Sequence, residues 1–406
     1  MSEASPAQRA LAAAWRHSWF RLGCAMLGLF VLLAVYAPFL ANEAAIVWWD
    51  AGGISLPVIA DLFNRNTFGK QHELLFTLFA LLLPVCVLLW RMLPGRTIGR
   101  RISVCALILL ACWAVVQVPL LPRPSGGYQA LWAERPTTQR TSTTVHRDAG
   151  AARWCLLAPI PHRWDATYPS AVLKPPGWTN PATGAKTWLG TDPAGHDVMA
   201  RMLFGSRISL TIGFIATGIA LLIGTFIGAI SGFAGGWIDL VLQRLVEIMM
   251  CFPTFLLILA VVAMTGRDIF VITLVIGLTS WAGIARLVRG EFLAQSVRDY
   301  VTAGRSLGLS SGRLMFMHVL PNTMAPLLIT ATFGIAGAIL GESGLSFLGL
   351  GDPRVASWGQ LLNHGRENPA FAWLIYAPGF AIFVLVLALN AVGEGLRQAF
   401  DPKAAP

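Results

Sequence analysis

Histidines, cysteines and acids are the usual raw material of a reactive site, and in this chain they are scattered. His146, His162 and His196 fall in one polar stretch with no HExxH spacing to set two imidazoles on one helix face, so each reads as a polar loop residue. The six cysteines, Cys24, Cys86, Cys105, Cys112, Cys155 and Cys251, include no CxxC pair. All but Cys155 lie inside apolar runs, where a thiol behaves as a small hydrophobe. Gly69-Lys70-Gln71 and Gly184-Ala185-Lys186-Thr187 both miss the GxxxxGK[ST] spacing of a phosphate loop. Glu247, Glu342 and Glu394 sit near the ends of apolar stretches, where a secondary transporter would bury ionisable groups near the midplane. No catalytic residue, metal site or cofactor is expected. The chemistry left to read is recognition, and it is concentrated in residues 289–322.

The elements that must position that segment are membrane helices. Of 406 residues, 55% are hydrophobic and only 12% charged, against about 25% charged in ordinary soluble domains. The net charge of +10 is carried by short segments between apolar runs, which suits loops facing the cytoplasm and not a nucleic-acid surface. A bilayer crossing takes about 20 apolar residues. Eight stretches qualify, at about 22–40, 74–90, 102–121, 208–230, 248–266, 269–285, 319–340 and 371–393. The first is too long for a signal peptide and is expected as an uncleaved anchor. Arg9, Arg16 and Arg21, then Arg91 to Arg101, then Arg286 to Arg313 all place their segments inside, with both termini cytoplasmic.

Three parts differ in character: residues 1–41 with the first span; an inserted region at 42–184, holding the hairpin 74–121 and a Pro/Thr/Arg-rich external loop; and a compact part at 185–406. Gly224, Gly228 and Gly232 form a doubled GxxxG stripe, and Gly337 with Gly341 repeats the spacing in the seventh span. Such stripes let helices approach closely in lipid, most simply within one bundle. Pro253 lies inside the expected fifth span and predicts a kink that could shape a gate; Glu342 is expected near the external mouth of a pathway.

In residues 289–322 the spacing predicts a helix through Leu307, a stop at Gly308, a restart capped by Ser310 or Ser311, and Pro321 near the next span. This is a helical elbow, with Ala303 and Gly304 as a small-residue face and Tyr300, Val301 and Leu307 able to fill a pocket. It suits helix-in-groove docking on a soluble partner, the bland alternative being a solvated connector.

The elbow resembles the EAA segment of bacterial ABC importer permeases: Glu-Ala-Ala, three residues, Gly, nine residues, Ile, any residue, Leu-Pro. Thr302, Ala303 and Gly304 take the first three places, Gly308 the glycine, His318 the isoleucine, and Leu320-Pro321 the end. Thr302 in place of glutamate removes any salt bridge that residue would make. Residues 189–210 (LGTDPAGHDVMARMLFGSRISL) are similar to the segment leading into the core spans of dipeptide, oligopeptide and nickel permeases, with His196 where arginine is usual. Residues 341–351 with Ser357-Trp358-Gly359, and Ala399 to Pro402, resemble the same branch. Residues 37–41 are a weaker match, and the hairpin has no counterpart in six-span members.

The resemblance implies an all-α polytopic protein of the bacterial inner membrane, with the type I permease core plus an extra hairpin and an external loop. It implies a non-enzymatic subunit forming half of a peptide pathway, with nickel or another small solute as the alternative within the family and a secondary transporter as the rival from outside it. The implied partners are a homologous second permease, two ATPases, an extracytoplasmic solute-binding protein and membrane lipid. The residues implied for ATPase coupling, in the loop 286–321, are Tyr300, Thr302, Ala303, Gly304, Gly308, Leu320 and Pro321.

Overall fold

A computed structural model describes residues 14–42, 46–50, 53–55, 154–179 and 185–400. The spans expected at 74–90 and 102–121 lie outside these residues. Among the described residues five helices are long and apolar enough to cross a membrane, and a bent pair brings the number to six. They are α1 (Ser18–Leu40), α2 (Val198–Ala234), the pair α3 (Gly236–Cys251) and α4 (Thr254–Thr265), α5 (Ile269–Ser296), α7 (Met324–Phe347) and α9 (Trp373–Phe400). Between α5 and α7 lies the short α6 (Asp299–Ser306), and between α7 and α9 the short α8 (Trp358–Glu367).

The fifth span departs from expectation. Where one kinked helix over 248–266 was expected, two helices meet at 76°. Pro253 has no N–H to continue the ladder and drives the preceding residue out of the helical region. Phe252 accordingly takes φ −78° and ψ 126°, and Pro253 becomes the N-cap of α4.

The chain divides into two compact units. One comprises Met1–Phe30, Ile208–Asn363 and Pro378–Pro406. Its core is built around α5. Ile272, Val275 and Ile276 meet Ile208, Ile212 and Ala216 of α2, Ile258 and Val262 of α4, and Ala338 and Leu345 of α7. Toward its C-terminal end α5 contributes Trp281, Ala285, Val288 and Phe292 to a second cluster, which also takes in Val246 of α3, Val301 of α6, Val319 and Leu327.

The glycine stripe of α2 is the seam with α5. A β-carbon at Gly224 would stand 2.7 Å from the Trp281 carbonyl oxygen, one at Gly228 2.5 Å from that of Ala285, and one at Gly232 2.7 Å from that of Arg289. The repeat of four on both helices is the register that small residues permit when packing drives association. The second stripe behaves otherwise, since a β-carbon at Gly337 or Gly341 would meet nothing within 4 Å. Unlike the first stripe, those two glycines make no seam among the described residues.

The other unit comprises Val31–Arg207 and His364–Ala377. It holds a three-stranded antiparallel sheet, order β2-β1-β3, of β1 (Val47–Asp50), β2 (Gly53–Ser55) and β3 (Trp154–Leu156). Nothing in the sequence predicted this sheet; the spanning part is helical as expected. Residues 185–197 form a tight polar web. Thr191 Oγ1 donates to the Ala171 carbonyl and accepts from the Lys174 N–H at 2.8 Å, while Trp373 Nε1–H donates to the Thr191 carbonyl at 3.2 Å.

Candidate functional site

The elbow departs from the expected continuous helix at Val297, whose φ of −95° and ψ of 0° end α5. Arg298 then opens α6, which carries Asp299 in its first turn and Arg305 in its last, both complementing the helix dipole. The stop at Gly308 is as expected. Its φ is +75°, the Leu309 N–H donates to the Gly304 carbonyl at 3.0 Å, and the Gly308 N–H donates to the Arg305 carbonyl at 3.0 Å. These two bonds make a Schellman closure, which needs a left-handed residue at that place. Ser310 stands at the N-cap position of the restart without a side-chain capping bond, and residues 311–322 include a π-helical stretch, Leu314–Val319. Leu320 donates back to the Met315 carbonyl there, and Pro321 has no N–H to offer.

Two buried side chains, Val301 and Val319, pin the elbow to the lower part of α5. Arg305 lies over the Phe233 ring at 5.2 Å, Phe226 stacks with Phe316 at 6.5 Å, and the Tyr300 hydroxyl donates to Gln295 at 2.9 Å. The face turned outward carries Thr302, Ala303 and Leu307, the last 82% exposed, with Tyr300 at its edge. Gly304 is not on that face. It is buried, and a β-carbon there would come 2.6 Å from Leu314 Cδ2. This corrects the expectation that Gly304 forms the small-residue contact surface. It lets the two arms of the elbow close on each other, and Ala303 alone presents the small surface.

Next to the elbow, a polar clamp joins three helices. Arg289 of α5 donates from Nε and Nη2 to the two carboxylate oxygens of Asp239 on α3, each at 2.6 Å. Asp239 also accepts from Ser231 of α2, and Gln243 Nε2 donates to Ser231 Oγ at 2.8 Å. Sequence reasoning missed this clamp, since Asp239 and Arg289 are separated by fifty positions.

At the far end of α7, Glu342 is fully buried, accepting from Ser346 Oγ at 2.7 Å and lying 3.5 Å from Ser343 Oγ. Glu342, expected near the external mouth of a pathway, is thus enclosed by serines within this chain. Pro253 sits at the α3–α4 break.

In the other unit, Asp192 is fully buried and accepts from Arg201 Nη1 at 2.7 Å, from the Ala194 and His196 N–H groups at 2.9 Å each, and sits 2.8 Å from His196 Nδ1. Burial opposes its ionisation, but the His196 hydrogen bonds and the Arg201 charge win and hold it well below the usual carboxylate range. His364 approaches at 3.7 Å, and burial lowers its pKa against the pull of Asp192. Asp197 caps α2 by accepting from the Ala200 N–H at 2.8 Å, and burial pushes its pKa up to about 7. His196 is thus part of a structural charge cluster and not an isolated loop residue. The four-residue spacing of Asp192 and His196 was the only local signal for it. No group of three metal-ligating side chains occurs among the described residues.

Comparison with known proteins agrees with this arrangement. Residues 224–406 match the family described as binding-protein-dependent transport system inner membrane component. The dipeptide transport system permease protein DppC of Alkalihalophilus pseudofirmus is 38% identical over 232 residues, 55% of this chain and 76% of that protein. A putative peptide permease protein of Brucella suis is 42% identical over 229 residues, 55% of this chain and 76% of its own length. The DppC of Haemophilus influenzae is 40% identical over 252 residues, 61% of this chain and 85% of its own. With its helical core, its projecting elbow and relatives of this identity matched over three quarters of their length, the chain belongs to the family of binding-protein-dependent inner-membrane transport components and is a multi-pass permease subunit of an ABC importer.

Proposed function

We propose that this subunit forms half of a pathway for di- or oligopeptides, and that its elbow is the coupling element that enters a groove on an ATPase subunit. The observation that carries the coupling reading is the division of labour within the elbow. Val301 and Val319 are buried against α5, while Thr302, Ala303 and the 82% exposed Leu307 remain uncovered on the opposite side. A rigidly held helix with an uncovered small and apolar face is suited to helix-in-groove docking. Peptides are supported as the solute by the names of the relatives, which include dipeptide, di/tripeptide and oligopeptide permeases.

ATP hydrolysis then belongs to partner ATPases, since this chain has no GxxxxGK[ST] loop. A second, homologous permease completes the pathway and a solute-binding protein delivers the peptide on the outer side. The elbow and both termini face the cytoplasm, as the arginine clusters direct. Movement of the ATPases carries the elbow, and the bundle exchanges inward- and outward-open states by a rigid-body transition.

The test is reconstitution of the complex in proteoliposomes with Leu307→Asp in this subunit. A charge placed on the uncovered face should abolish co-purification of the ATPases and ATP-driven uptake of a labelled tripeptide, with the variant still inserted at normal levels. Undiminished uptake by that variant would refute the docking assignment.

A further inference from the structure

The helix α3 turns most of its surface away from the rest of the bundle. Val246 is its one buried residue, Met249 packs beside it against the same cluster, and Trp237, Leu240, Val241, Leu245 and Ile248 are all exposed. Its other tie to the bundle is polar. Asp239 and Gln243 share the face of Val246, at spacings of four and seven, and through them α3 is clamped to Ser231 of α2 and Arg289 of α5. The Asp239–Arg289 contact is a fork, both carboxylate oxygens meeting separate guanidinium nitrogens at 2.6 Å, so it sets orientation as well as distance.

The position of Arg289 gives the clamp its meaning. Ala285 and Phe292 lie one turn either way and Val288 is adjacent, and all three share a buried cluster with Val301 and Val319, the two side chains that pin the elbow. Displacing the elbow therefore displaces the part of α5 that carries Arg289. The other end of α3 is the break at Phe252-Pro253, where the chain turns by 76° into α4. An ion pair at one end of a helix that touches the bundle along one face, with a break at the other, makes a lever.

We propose that Asp239 and Arg289 are positioning residues that form the strut through which movement of the elbow reaches the broken span α3–α4. The proposal rests on the coupling reading of the elbow given above. A pair that only stabilised the fold would, on removal, lower the yield of the complex and reduce hydrolysis and uptake together. A strut would separate the two, leaving ATP hydrolysis stimulated by the binding protein while the peptide taken up per ATP falls.

The experiment uses the full complex in proteoliposomes with Arg289→Lys, which keeps the charge and loses the fork, and Asp239→Asn, which keeps the shape and loses the charge. Both should assemble at wild-type levels and hydrolyse ATP at near wild-type rates. The ratio of tripeptide uptake to ATP hydrolysis should fall by about five- to a hundredfold, the span of ordinary coupling between sites. Recovery of that ratio in the reciprocal exchange of Asp239→Arg with Arg289→Asp would add support. A wild-type ratio in both single variants overturns the strut, as does a parallel fall of hydrolysis and uptake in both. Absence of ATP-driven uptake in the wild-type complex is a different result: it refutes the importer reading itself, and the strut with it.

Discussion

Gly308 offers the cleanest perturbation of the elbow. A β-carbon there meets nothing within 4 Å, so substitution carries no steric penalty from neighbours. The whole effect must come from the backbone, whose φ of +75° lies in the left-handed region. For an L-residue that conformation costs about 1–2 kcal/mol, least for asparagine and most for a β-branched side chain. A penalty of about 1–2 kcal/mol lowers the closed, docking-competent elbow by roughly 5- to 30-fold relative to open forms. The expected order of ATPase affinity is therefore glycine, then asparagine, then alanine, then valine. Binding of purified ATPase to the permease in nanodiscs measures it directly, with membrane insertion as the control. Wild-type affinity for Gly308→Val would refute the argument, since it would mean that the Schellman closure is not needed for docking. So would an asparagine variant as weak as valine, because sterics and not backbone strain would then be in command.

Gly304→Leu should damage the elbow from within, by forcing Leu314 aside at about 1–3 kcal/mol, and trimming the neighbour in a Gly304→Leu/Leu314→Ala double variant should recover part of the ATPase binding. Gly228→Leu should be far worse, since its β-carbon would meet a backbone oxygen at 2.5 Å that cannot step aside; loss of the folded permease, read by size-exclusion chromatography in detergent, is expected. Asp197 titrates near 7 when folded, against about 4 when unfolded, so between those values the folded state holds the extra proton and stability falls as pH rises. The stability of Asp197→Asn relative to wild type should accordingly be greater at pH 8 than at pH 5, by on the order of 2–3 kcal/mol, and an equal melting-temperature difference at both pH values would contradict the burial argument. In a background without native cysteines, Trp188→Cys should react with an impermeant maleimide from outside whole cells and Leu307→Cys should not; the opposite pattern would invert the topology.

Much of this molecule is legible in local patterns. Apolar run lengths place α1, α2, α5, α7 and α9, because the cost of burying a polar backbone in lipid is met residue by residue within each helix. The elbow is legible for a related reason: Gly308 and Pro321 each act on the backbone at their own position. Orientation of side chains about those elements is not a local property. Whether Gly304 faces a partner or Leu314 depends on how the two arms of the elbow close. The stripes at Gly224 and Gly337 have the same spacing, yet among the described residues only the first meets a neighbour. The break at Pro253 leaves α3 to be held by Val246, Met249 and polar contacts to Ser231 and to Arg289, fifty residues from Asp239. The opposite pKa shifts of Asp192, held down by His196 and Arg201, and of Asp197, raised by burial, follow from the fold around residues 185–201. Sequence alone determined the long spanning helices among the described residues and the interruptions at Pro253 and Gly308, through backbone chemistry and solvent preference. Tertiary structure decided which faces meet, because contact and desolvation depend on neighbours that chain order does not specify.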